Sequence, residues 1–109
     1  MLTNRTYISK SDIHGYGVFA TEDIQTDEVI IEYPCVPVQS RRPIPPEITT
    51  HLFVAEKGVV VVFGNASYIN YSKEPNTQYK INSEKNIIFI TAIKDILENQ
   101  EITLNYSIK

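Results

Sequence analysis

The chain has 109 residues, 42% hydrophobic and 21% charged, with a formal net charge of -3. That is one domain, residues 1–109, able to close a core without staples and too apolar for a disordered chain. No apolar run approaches the roughly 18 residues of a spanning helix, no secretory leader is visible, and no dense Lys/Arg cluster offers a nucleic-acid face. The single cysteine, Cys35, builds neither an internal disulfide nor, alone, a thiolate zinc site. The expectation is an intracellular protein, cytoplasmic or nuclear, with no metal, no membrane contact and no direct nucleic-acid contact.

In chain order, Arg5–Ser9 is a short extended segment with Tyr7 among β-formers. Ser11–Gly17 is a polar turn, Val18–Ala20 a brief apolar segment, and Thr21–Asp27 a polar loop. Val29–Tyr33 is a strand whose nearly continuous apolar run predicts burial on both faces. Pro34 and Pro37 restrict pairing, so Cys35–Val38 reads as an edge or irregular strand. Ser40–Pro46 reads as an exposed loop. Pro46–Lys57 carries Ile48, Leu52 and Ala55 at helical spacing and is the one predicted helix, shortened by its β-branched residues.

Val59–Phe63 is a strand. Thr77–Asn82 and Asn86–Ala92 form a hairpin around Asn82-Ser83-Glu84-Lys85. Ile93–Gln100 is a polar connection, and Glu101–Ser107 the last strand, with Ile102, Leu104 and Tyr106 on one face. No internal repeat and no low-complexity segment is apparent. The fold class is mainly β, with many short strands and little helix.

Three stretches carry chemistry-bearing residues. His14-Gly15-Tyr16-Gly17-Val18-Phe19-Ala20 sets two glycines around an aromatic, where backbone can approach a ligand that a Cβ would block. It lacks the third glycine and the following helix of a dinucleotide site. Tyr68–Asn76 reads Y-I-N-Y-S-K-E-P-N. Its asparagines flank Pro75, which fixes its own φ and biases Glu74 away from the helical region. A short amide beside buried strands must find partners in its own backbone or in a ligand. The third, Glu101-Ile102-Thr103-Leu104-Asn105-Tyr106, is a strand delivering a tyrosine. Singly, these are turn glycines, turn asparagines and a packing tyrosine. His14 and His51 lie too far apart to suggest a metal pair.

The order and spacing of the three resemble the SET-domain protein lysine methyltransferases, over about residues 5 to 107. That family has a G-x-G after a strand, then an R-F-x-N-H-S segment running into P-N, then a glutamate-led strand ending in D-Y. Asp23-Ile24 and Glu28-Val29-Ile30 resemble its D-I-x-x-G-E-x-I segment, with Asp27 in place of the glycine. Ala92–Ile96 resembles the approach to the last motif. The resemblance implies a β-clip-like SET fold of several small sheets with a C-terminal pseudoknot. The resemblance is to the short viral and bacterial members, which lack a cysteine-rich zinc segment after the last motif.

It also implies S-adenosylmethionine as cofactor and a lysine of a protein or peptide, a histone in many members, as substrate. Tyr106 and Tyr16 would be catalytic. His14, Gly15, Tyr16, Gly17, Asn70, Tyr71 and Tyr106 would hold the cofactor. Leu104, Tyr68 and His51 would border the substrate channel. Leu104 stands where an aromatic often limits methylation number. Asn70-Tyr71 replaces the family's Asn-His, Ser67 its arginine and Asn105 its aspartate. Some short members are homodimers, which makes a second copy an expected partner. The competing reading is a non-catalytic SET-like module that binds a partner protein.

Overall fold

The computed structural model of the chain describes residues 2–38, 52–56 and 58–106. Among the described residues nine strands alternate with polar turns: β1 Thr6–Lys10, β2 Tyr16–Ala20, β3 Val29–Pro37, β4 Leu52–Ala55, β5 Gly58–Val62, β6 Asn70–Tyr71, β7 Thr77–Asn82, β8 Ile87–Ala92 and β9 Glu101–Leu104. A 3-10 helix, Asn65–Tyr68, precedes β6. The strands form a four-stranded sheet in the order β1-β2-β9-β6 and a five-stranded sheet in the order β4-β5-β3-β8-β7. Val18, Ile24, Ile30, Ile88, Ile90, Ile96, Ile102 and Leu104 are sealed between them.

The predicted hairpin is present as β7–β8, with Asn82 opposite Ile87. Asn82 Oδ1 accepts from Glu84 N at 3.0 Å and Lys85 N at 3.1 Å, the local turn bonding that makes asparagine a turn residue. β3 holds together through its prolines by changing partner. Residues up to Pro34 pair with β8, and Cys35 to Pro37 pair with β5. The register slips between Val29 and Ile31, so Ile30 and Ile31 both point inward as a bulge allows. Tyr33 is 38% exposed, so burial on both faces stops short of it.

The helix expected over Pro46–Lys57 is corrected where it is described. Leu52–Ala55 is a strand, antiparallel to β5. Phe53 there is 1% exposed and packs edge-on against Tyr79, ring centroids 5.0 Å apart. An aromatic flanked by a β-branched residue and paired with a valine-rich strand gains more from this burial than from a weak helical pattern. The rest of that expected helix, except Glu56, lies outside the described residues, as does the predicted 40–46 loop.

An internal duplication, which the sequence reading missed, ties the two sheets together. Ile24 N donates to Ile96 O at 2.7 Å, and Ile96 N returns a bond to Ile24 O at 2.8 Å. Thr26 N donates to Asp95 Oδ1 at 2.9 Å, and Glu98 N to Asp23 Oδ1 at 2.8 Å. Glu28 Oε1 accepts from Gln25 N just as Gln100 Oε1 accepts from Leu97 N. Asp27 and Asn99 both take left-handed backbone, φ 74 and 69. Pairing repeats the exchange, since β2 pairs with β9 while β8 pairs with β3. Two units, β1–β2–loop–β3 and β7–β8–loop–β9, thus lend their third strands to each other. Few identities survive between them, among them Ala20 and Ala92, Asp23 and Asp95, Ile24 and Ile96. The matching Asp27 and Asn99 also explain the family glycine that Asp27 replaces. The position demands φ > 0, which Asp and Asn tolerate better than other side chains.

β9 is the strand on which the site is built. It lies between β2, antiparallel, and β6, parallel. β6 is only two residues long, and the Asn76 carboxamide extends its pairing. Asn76 Nδ2 donates to Glu101 O at 2.8 Å, and its Oδ1 accepts from Thr103 N at 2.9 Å. The side chain takes the place of a peptide unit in a neighbouring strand. Thr77 Oγ1 adds a bond to Thr103 O at 2.7 Å. Thr103 is therefore buried although its neighbours Ile102 and Leu104 fill the core on the opposite face.

Candidate functional site

β2, the 3-10 helix, β6 and the residues after β9 converge on an open cavity of about 600 Å³. His14, Gly15, Tyr16, Tyr68, Asn70, Tyr71 and Tyr106 line it, so three motifs far apart in sequence meet here. Leu52, Ser67 and Ile69 complete the wall. Sequence reasoning missed these three. Ile69 lies inside the central motif, Ser67 just before it at the position of the family's arginine, and Leu52 on the expected helix. Gly17 is buried behind the wall and Leu104 is fully buried in the core. Neither lines the cavity. His51 lies outside the described residues.

Tyr106 stands on the half-buried floor. Its hydroxyl donates to Ile69 O, and its ring tilts against Phe53 at a centroid distance of 5.3 Å. Burial, with a smaller contribution from Tyr79, pushes its phenol up to about 12. The hydroxyl is therefore neutral at working pH. Its proton is committed to a backbone carbonyl, so the lone pairs of its oxygen are what it can offer a second partner. Tyr16, Tyr68 and Tyr71 ring the mouth, 58%, 49% and 52% exposed.

Asn70 organises the upper wall. Its Nδ2 faces His14 O at 3.0 Å, Tyr16 O at 3.2 Å, Ser11 Oγ at 3.1 Å and Glu101 Oε2 at 2.9 Å. Two amide protons shared among four acceptors fix the side chain, and its other polar atom is an acceptor, Oδ1. The two glycines beside it serve different ends. Gly15 has φ +48, and a Cβ there would meet nothing within 4 Å, which leaves its face open to a ligand. At Gly17 a Cβ would lie 2.3 Å from Glu101 Oε2, so that glycine makes room for a carboxylate.

Backbone carbonyls, the Asn70 amide and exposed rings suit a ligand with a cationic group and an aromatic base. Such a lining would accommodate S-adenosylmethionine, the cofactor the resemblance implies. Among the described residues no three His, Cys, Asp or Glu side chains converge as metal ligands. No helix among them is long and apolar enough to cross a membrane.

The SET domain family model matches residues 15–107, and the chain belongs to that family. The histone-lysine N-methyltransferase trithorax of Drosophila virilis is 33% identical over 95% of this chain and 3% of its own length. A Plasmodium falciparum crystal structure of a candidate histone methyltransferase superposes with a TM-score of 0.84 at 26% identity, covering 98% of this chain and 96% of that one. A chain of a humanised Chaetomium thermophilum Polycomb Repressive Complex 2 superposes with a TM-score of 0.72 at 28% identity, over 95% of this chain and 15% of that one. The curated relatives are far longer proteins, of which this chain spans 2% to 12%. The strand-rich architecture of several small sheets agrees with the expected SET fold.

Proposed function

We propose that this domain transfers a methyl group from S-adenosylmethionine to a lysine side chain of a protein substrate, a histone in the first instance. The observation that carries the reading is Tyr106, held by Ile69 O and Phe53 in the same cavity that Asn70 and Gly15 line. His14 and Tyr16 carbonyls with Asn70 Oδ1 would hold the cofactor's polar groups. Tyr16, Tyr68 and Tyr71 would face its base and charge. The cofactor supplies an electrophilic methyl on a positively charged sulfur.

The protein's part is positional. The lysine nitrogen must present its lone pair in line, so its ammonium would first release a proton to water at the open mouth of the cavity. A wall of aromatic rings disfavours the charged ammonium. Tyr106 keeps its proton on Ile69 O and turns an oxygen lone pair toward the amine, which orients the nucleophile without a base in the site. With cofactor and substrate in place, the rings would help keep water from the reacting atoms. The names of the relatives support histone as the substrate class. A second copy of the chain, as in a homodimer, would cover the half-exposed rings at the mouth.

The test is incubation with methyl-labelled S-adenosylmethionine and core histones, followed by residue-level mapping. Label on lysine is expected. Cofactor binding without transfer to any histone or basic peptide would favour the alternative, a module that binds a partner protein.

A further inference from the structure

Glu101 enters β9 at the point where three separate pieces of chain must be held together. Ser11 Oγ donates to its carboxylate, 2.7 Å from Oε1 and 2.9 Å from Oε2. Asn70 Nδ2 donates to Oε2 at 2.9 Å. The carboxylate presses against Gly17, where any side chain would collide with it. Glu101 does not line the cavity. Ser11 passes the constraint on, since its Oγ accepts from Ile13 N at 2.9 Å and His14 N at 3.3 Å. Ser11 N closes the turn on Gly15 O at 2.8 Å.

We propose that Glu101 is a positioning residue that fixes the 11–16 turn and the Asn70 amide in one arrangement, and so sets where the His14 and Tyr16 carbonyls face the cavity. A carboxylate is suited to this because it only accepts, and the Ser11 hydroxyl and Asn70 amide both present donors to it. With those donors engaged, the serine oxygen is free to accept from the turn. Its benefit to catalysis rests on the cofactor reading above. Its effect on the turn does not, and the two can be told apart.

The experiment uses Glu101→Gln in the full chain. The glutamine keeps the length but presents an NH₂ to the Asn70 NH₂ or the Ser11 hydroxyl. Amide hydrogen exchange at Ile13 and His14 is expected to quicken about tenfold or more, while the β7–β8 amides exchange as in the wild type. If the wild type binds S-adenosylmethionine, the variant's KM for it should rise about tenfold, with kcat at saturation within about twofold. Gly17→Ala, which pushes the carboxylate away, should reproduce the same split. Unchanged exchange at Ile13 and His14 overturns the proposal. So does a drop in kcat with KM unaltered. If the wild type binds no cofactor, the proposed function fails, and the exchange result alone decides the role of Glu101.

Discussion

Tyr106→Phe is expected to slow methyl transfer about 100-fold or more, a loss of roughly 2.7 kcal/mol in transition-state stabilisation. Phenylalanine keeps the ring against Phe53, so the floor of the cavity stays filled. What disappears is one oxygen, and with it the acceptor that orients the amine. Ile69 O loses its donor in a residue that is 4% exposed at the cavity wall. The stability cost is therefore about 1–3 kcal/mol, that of an abandoned buried carbonyl. Cofactor affinity should hardly move. Steady-state rates at saturation, with titration and thermal melts as controls, separate these effects. A kcat within about threefold of wild type would remove Tyr106 from the mechanism.

The raised phenol pKa adds a pH sign. The folded protein keeps the Tyr106 proton up to about 12, whereas an unfolded tyrosine loses it near 10. The stability this provides is complete below pH 10 and is lost between about 10 and 12. Ionisation of Tyr106 therefore sets no limb of the rate profile between pH 7 and 9.

Asn76→Ala is expected to destabilise the domain by about 3 kcal/mol. The substitution abandons two backbone groups of β9, Glu101 O and Thr103 N, in a part of the sheet where Asn76 itself is 7% exposed. Each buried group left without a partner costs about 1–3 kcal/mol. Asn76→Asp should be nearly as costly, because Oδ1 can still accept from Thr103 N while Glu101 O faces a carboxylate instead of a donor. Denaturant unfolding with an unchanged m-value would measure the loss. A change under about 1 kcal/mol would mean that the amide is not the structural substitute for a strand that its geometry describes.

The three motifs were legible in the sequence because each is a local device: a turn, a turn amide and a strand end. Their meeting was legible only through family resemblance, since no periodicity places Asn70 beside Glu101. The hairpin β7–β8 could be read from alternation and an asparagine turn. β4 could not, because four residues, Leu52–Ala55, carry no period of their own and owe their conformation to β5. The duplication stayed hidden because it resides in paired backbone bonds that need only Ile, Asp and a left-handed residue at three places. Glu101 escaped notice as a site residue because a strand-opening glutamate has the look of a solvated end. The absent side chain of Gly17 makes room for Glu101, a contact no local pattern shows. Asn76 and Asn70 look alike in the sequence, yet one repairs a sheet and the other lines the cavity.

The most direct test is calorimetric titration of the protein with S-adenosylmethionine and with its demethylated product, in wild type and in Asn70→Ala. The account predicts saturable binding of both ligands in the micromolar range, about -8 kcal/mol, weakened about tenfold or more by Asn70→Ala while the fold persists. Absence of binding by either ligand at millimolar concentration, in a protein that melts cooperatively, would contradict the assignment of this cavity as a methyl-donor site.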